Sequence, residues 1–307
     1  MDWKYFVRRA ADWTIPPAIE GIVLRKRLDV DSYFCDSSLK SLFLRNKKFH
    51  NLHKGGRCFI LGTGPSINKQ DLRPLKNEIC IAMSLFCLHK DIKEIDPLYN
   101  VDAPNHFPYK FDHIQRGFDV FRESYSSRTS YFFGYTNYGY SVFNFLKQNP
   151  QFKNDNIYYL NYSKAIQLNE TNFQNSNLWD ISKLMFLPRT SLYCALQLAA
   201  YIGFKYIYLL GCDHDFVAHP GGRSSSYFYK DAGGFDDTLE WSSTEKHLLY
   251  LYQIWCQYRL MRSYLESRRC YIYNATEGGM LDVFPRIALS EALTGSFKKD
   301  ETINDNK

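Results

Sequence analysis

Short apolar runs separated by Gly, Pro and polar clusters organise the chain from about residue 55 onward. Arg57-Cys58-Phe59-Ile60-Leu61 runs into Gly62-Thr63-Gly64-Pro65-Ser66, the pattern of a buried strand ending in a tight glycine turn. Residues 79–83 and 97–102 repeat the apolar run. Spacing of this kind predicts an α/β fold with a mostly parallel sheet flanked by helices. Residues 103–180 are rich in Tyr, Phe, Asn and Ser with weak periodicity, so only short strands and variable helices are expected there.

The clearest unit follows. Arg189-Thr190-Ser191 precede an apolar helical pattern over 192–202, Gly203 ends it, and residues 205–211 form a strand. Cys212-Asp213-His214-Asp215 come directly after that strand, at the carboxyl end where open α/β sheets present their ligand crevice. A Gly-, Ser- and Asp-rich stretch predicts a lid over about 217–240, bearing Tyr227, Phe228 and Tyr229. Residues 244–267 predict a long amphipathic helix with Leu248, Leu251, Tyr252, Trp255 and Leu260 inward, and 270–274 a last strand. The domain expectation is a helical N-terminal extension over 1–54, broken at Pro16 and Pro17, a catalytic domain over 55–296, and a disordered tail over 297–307.

Composition narrows the function classes. With 307 residues, 45% hydrophobic and 17% aromatic, the chain can bury a large core, and its tyrosines suit stacking against sugars or bases. The net charge of +6 is concentrated near the N-terminus and across 259–269, which favours an anionic small ligand or a membrane surface over nucleic acid. Eight cysteines occur singly with no metal-ligand spacing, as expected of reduced thiols in a cytoplasmic protein. The sequence lacks an apolar stretch long enough to span a bilayer. Residues 3–27 mix aromatics, aliphatics and cations. They predict either an interfacial helix in peripheral contact with the inner face of the membrane or a helix packed on its own domain.

Four segments carry candidate chemistry. The glycine turn Gly62, Thr63, Gly64, Pro65, Ser66 suits a backbone that approaches a nucleotide closely, or an ordinary tight turn; it matches neither the dinucleotide fingerprint nor the P-loop. Asp213-His214-Asp215 offers an imidazole flanked by carboxylates, suited to deprotonating an acceptor hydroxyl. A metal-binding Asp-x-Asp and a structural turn are the other readings. Arg189, Thr190 and Ser191 open a helix where a carboxylate or phosphate can be received, or simply cap it. Asn274 and Thr276, with Gly278-Gly279, suit contact with a base or ribose, or a plain turn. His106, His219 and His247 are alternative imidazoles, and hydrolase motifs are absent.

This order of parts resembles the bacterial sialyltransferases and is similar to the flagellin-modifying (Maf, MptE-like) proteins. The resemblance covers roughly 56–290 and is most specific over 59–66 and 188–213. It implies a Rossmann-like sheet with a lid (the sialyltransferase-like GT-A variant), a CMP-activated acidic sugar as donor, and no required metal or cofactor. By carry-over, Gly62 to Ser66 sit at the CMP, Asn100 near the cytidine phosphate, Arg189, Thr190 and Ser191 near the donor sugar, and Asn274 and Thr276 against the nucleotide. Thr63 and Ser84 stand where those enzymes carry Asn. Their base histidine precedes the long helix, where this chain reads Thr238-Leu239-Glu240-Trp241-Ser242-Ser243.

The leading expectation is therefore a glycosyltransferase that moves a sugar from a CMP donor to a hydroxyl of a surface glycan. His214 is its base, oriented by Asp213 or Asp215, and the nucleotide-sugar donor and glycan acceptor are its partners. The alternatives are a metal-dependent UDP- or GDP-sugar transferase using Asp213 and Asp215, an inactive nucleotide- or glycan-binding module, and a pterin pyrophosphokinase.

Overall fold

The computed structural model describes residues 37–105, 109–136, 138–163, 166–215, 227–229 and 243–295. Residues 3–27, His106, His219, most of the expected lid and the C-terminal tail lie outside them. The strands are β1 (Arg57–Leu61), β2 (Cys80–Met83), β3 (Tyr99–Asp102), β4 (Ser130–Tyr135), β5 (Ile157–Tyr162), β6 (Leu184–Met185), β7 (Tyr206–Leu210) and β8 (Tyr271–Asn274). They form one sheet in the order β6-β5-β4-β3-β2-β1-β7-β8, with every neighbouring pair parallel. The helices are α1 (Ser37–Leu44), α2 (Ile92–Ile95), α3 (Phe111–Ser124), α4 (Val142–Gln148), α5 (Ser191–Ile202), α6 (Thr244–Ser267) and α7 (Leu289–Thr294). The fold is α/β with a parallel sheet, as the strand spacing predicts, and Rossmann-like, as the resemblance implies.

Parallel strands covered on both faces bury successive residues on opposite sides, so they read as apolar runs without alternation. In β1, Cys58 and Ile60 join the core beneath α5 and α6, while Phe59 and Leu61 join the core beneath α2, α3 and α4. On the second face Phe59 stacks on Tyr208 at 5.1 Å and Tyr208 on Tyr273 at 5.8 Å, an aromatic ladder across three neighbouring strands.

The weakly periodic region 103–180 holds more structure than its pattern predicts. α3 buries Ile114, Phe118 and Phe121 at helical spacing, while β4 and β5 bury nearly every residue, so alternation is lost. The bounds expected for α6 hold, but its face does not. Leu248 and Tyr252, expected inward, are 51% and 63% exposed, and the buried stripe runs through Leu251, Ile254, Tyr258, Met261, Tyr264 and Leu265. The aromatics at 252 and 255 pull the apparent apolar stripe toward the wrong side of a helix that is apolar around much of its circumference.

Residues 37–54, counted with the N-terminal extension, pack onto the sheet. Phe49 is buried edge-on against Tyr99, Phe132 and Tyr158. The buried Asn46 amide donates to the carbonyls of Tyr159 at 2.8 Å and Ile181 at 2.7 Å. Lys48 Nζ donates to the Tyr158 hydroxyl. Among the described residues no helix is long and apolar enough to cross a membrane.

Phe49→Ala is expected to lower unfolding free energy by about 3–5 kcal/mol, the usual cost of emptying a buried aromatic site. Chemical denaturation measures it, and a loss below about 1 kcal/mol would mean that this segment is an appendage.

Candidate functional site

The strand order fixes where a ligand crevice forms. From β1 the chain builds outward through β2 to β6, then returns to place β7 and β8 on the other side of β1. The order reverses between β1 and β7, and crevices open at the carboxyl ends of strands at such a switch point. The glycine turn after β1 and the Asp213-His214-Asp215 segment after β7 meet there.

These two turns pack directly on one another. The Gly62 amide donates to the Leu210 carbonyl at 2.7 Å and the Gly64 amide to the Gly211 carbonyl at 2.8 Å. A Cβ on Gly62 would overlap the Gly211 carbonyl, and one on Gly64 would overlap the Asp213 carboxylate. The expectation that these amides lie open to a phosphate is thus not met: both glycines let one backbone approach another. Ser66 completes the contact, its hydroxyl donating to Asp213 Oδ2 at 2.9 Å. Burial raises the Asp213 pKa, and the Ser66 hydrogen bond opposes that rise.

His214 is oriented differently from the sequence expectation. Asp213 is held by Ser66, and His214 takes a left-handed backbone (φ +51°) that turns its ring toward α6. Its Nε2 lies 2.8 Å from the Tyr258 hydroxyl, which lies 2.8 Å from Thr190 Oγ1. A hydrogen bond to the Cys212 backbone holds the ring from the other side, and the Asp215 charge favours the protonated form. Burial dominates both and pushes the imidazole down to about 4, so it is neutral at pH 7.

Thr190 is the N-cap of α5, yet its side chain makes no capping bond because the hydroxyl is engaged with Tyr258. Ser191 Oγ lies 3.2 Å from Ser84 Oγ, which donates to Asp102 Oδ1 at 3.4 Å. Arg189 donates to Gln167 Oε1 at 2.7 Å and lies 5.3 Å over the Tyr250 ring, while Tyr250 donates to the Arg189 carbonyl at 2.7 Å. The structure thus brings Arg189, Thr190 and Ser191 together with His214 and Asp213 along one edge.

Three residues expected at the nucleotide have their side chains engaged within the fold. Asn100 is fully buried, its Oδ1 accepting from Tyr125, because its strand position faces the helix layer. Asn274 is spent on the Leu281 carbonyl and the Thr276 amide, and Thr276 Oγ1 accepts from the Cys212 amide at 3.0 Å. These two lock the turn after β8 onto the turn after β7, and the Met280 amide adds a bond to the Asp213 carbonyl at 2.7 Å.

Residues absent from the sequence expectation are Tyr258, Asp102 and Tyr250. Asp102 ends β3, so the same strand-end rule that singles out Asp213 applies to it. Tyr258 carries no local signal, since it reads as core on α6. Over the β1 turn, the Phe228 amide donates to the Thr63 carbonyl at 2.8 Å, and Tyr227 stacks on Tyr229. Among the described residues no group of three or more His, Cys, Asp or Glu side chains is arranged to hold a metal ion.

A stability prediction follows from His214. With its ordinary value of 6.5 lowered to about 4 in the fold, the unfolded chain binds more protons between those values, so stability is lost as pH falls through that window. The loss is expected to reach about 2–3 kcal/mol. Denaturant titrations at pH 7 and pH 4.5 measure it, and His214→Gln should flatten the dependence.

No protein-family model and no curated protein sequence matches this chain. Among solved structures, the sialyltransferase CstII from Campylobacter jejuni in complex with cytidine-5'-monophosphate is similar over 76% of this chain and 86% of its own, at 16% identity and a TM-score of 0.43. The same enzyme with CMP-3FNeuAc gives the same values. The sialyltransferase CST-II with trisaccharide acceptor and CMP matches 75% of this chain and 84% of its own, at 16% identity and a TM-score of 0.43.

Proposed function

We propose that this chain is a glycosyltransferase that moves an acidic sugar from a CMP-activated donor to a hydroxyl of a glycan acceptor. The observation that carries the reading is the uncapped N-terminus of α5 at the switch-point crevice. Thr190 gives its hydroxyl to Tyr258, which leaves the Ser191 and Leu192 amides at the start of this helix to an anion brought by the ligand. Arg189 supplies the paired cation. The donor carboxylate or phosphate lies there, and the nucleoside lies along Thr63 to Ser66 beneath Tyr227, Phe228 and Tyr229. Gly62 and Gly64 serve this wall by keeping it thin, and Asn274 and Thr276 by holding it rigid.

The proton route is the Thr190–Tyr258–His214 chain. The acceptor hydroxyl attacks the anomeric carbon and passes its proton to Thr190 Oγ1. Thr190 passes its own to Tyr258, and Tyr258 passes one to His214 Nε2. The glycosidic C–O bond forms as the bond to CMP breaks, and CMP leaves with the electron pair. A base resting at about 4 is weak. The negative charge that develops on departing CMP favours an imidazolium nearby and raises its proton affinity during transfer.

Tyr258→Phe and His214→Gln are each expected to lower kcat by about 10²-fold or more, with donor KM little changed. EDTA should leave the rate unaltered; loss of activity would move the chemistry to a metal at Asp213 and Asp215. Transfer by both variants at the parent rate would end the proton route. Saturating CMP should raise Tm, with about 2.7 kcal/mol of stabilisation at a hundredfold excess over Kd. A shift from ADP or UDP with none from CMP would end the donor assignment.

A further inference from the structure

A cavity lies at the opposite, amino edge of the sheet. It holds about 630 Å³ and opens between the residues that precede β1, β7 and β8 and the C-terminal ends of α5 and α6. From Gly55 at its rim to Gly62 in the crevice is a run of seven residues, roughly 23 Å at about 3.3 Å each. The two sites are therefore separate.

Five cationic side chains line this cavity, Lys54, Lys183, Lys205, Arg268 and Arg269, against a single carboxylate, Asp180. Asp180 is already paired with Lys183 at 3.3 Å. Cations beside helix C-termini ordinarily answer the helix dipole, but two helix ends amount to only about one negative charge in all. The positive surplus exceeds what the fold itself neutralises among the described residues. All five cations are exposed at the rim.

The uncharged lining narrows the ligand further. The helix-end carbonyls are taken up within the fold, by the amides of Asn51, His53 and Gly203 at α5 and of Arg268 and Arg269 at α6. The neutral polar side chains Asn51, Ser176 and Asn177 remain in the lining, and a bare phosphate carries little to donate to them. A polyhydroxylated acid suits both sets, with carboxylates on the cations and hydroxyls on Asn51, Ser176 and Asn177. Tyr201, partly exposed and 5.1 Å from the His50 ring, adds an aromatic surface of the kind that packs against a sugar. We propose that this amino-edge cavity is a second saccharide site, which holds a carboxylated oligosaccharide away from the transfer crevice.

The test is titration calorimetry of the full chain with an oligomer of six galacturonic acid residues, with maltohexaose as the uncharged control. The acidic oligomer should bind with salt-sensitive affinity while maltohexaose does not. Saturating CMP should leave that affinity unchanged. Lys205→Gln combined with Arg269→Asn is expected to weaken it about tenfold. Asn suits position 269 because the backbone there is left-handed, φ +61°. Lys54→Gln with Lys205→Gln spares that turn and serves as the second variant. Equal affinity in both variants would overturn the proposal, as would displacement of the oligomer by CMP. Tighter binding of phosphatidylglycerol vesicles than of the oligomer, lost in the same variants, would assign the cavity to a membrane surface and overturn it as well.

Discussion

The site depends on a contact in which side chains are missing. Two strand-end turns lie closer together than any Cβ permits, with Gly62 and Gly64 on one side and Gly211 and Asp213 on the other. Parallel pairing of β1 with β7 sets the two turns at the same level. The turn after β8 closes on them from beneath through Thr276 and Gly279, so three strand ends merge into one wall. Buried polar groups in such a wall need partners, and Ser66 and Asp213 supply one another.

His214 follows from that wall. With its predecessor fixed against Ser66, the chain leaves through a left-handed residue, a conformation costing about 1–2 kcal/mol for a side chain other than glycine. That cost is offset by what the conformation reaches: a fully buried tyrosine on α6 and, through it, the hydroxyl that would otherwise cap α5. Three elements distant in sequence share one hydrogen-bonded chain, and the helix end it leaves uncapped is where an anionic ligand gains most.

Much of this was legible in the sequence, for physical reasons that also explain the rest. β1, β2, β3, β7 and β8 are buried on both faces and read as apolar runs closed by turn residues. α5 announces itself by its N-cap and Gly203. The edge of the sheet where the candidate residues gather followed from strand ends alone. Partners did not. That Ser66 holds Asp213, that Thr276 holds Cys212 and that Asn100 points into the helix layer are pairings across 25 to 147 residues, which local pattern does not encode. Tyr258 is the sharpest case, since on its helix it is indistinguishable from any buried aromatic.

The β1–β7 pairing also sets an order of events during synthesis. Phe59 and Tyr208 are neighbours in the sheet, yet about 150 residues separate them, which at roughly 5–20 residues per second leaves β1 waiting about seven to thirty seconds for its partner on the ribosome. Through that interval β1 offers an apolar strand with an unsatisfied edge, able to pair with any nascent neighbour. The switch point that creates the crevice is therefore also the place where this chain is most exposed to misassembly, and where chaperone protection during translation matters most.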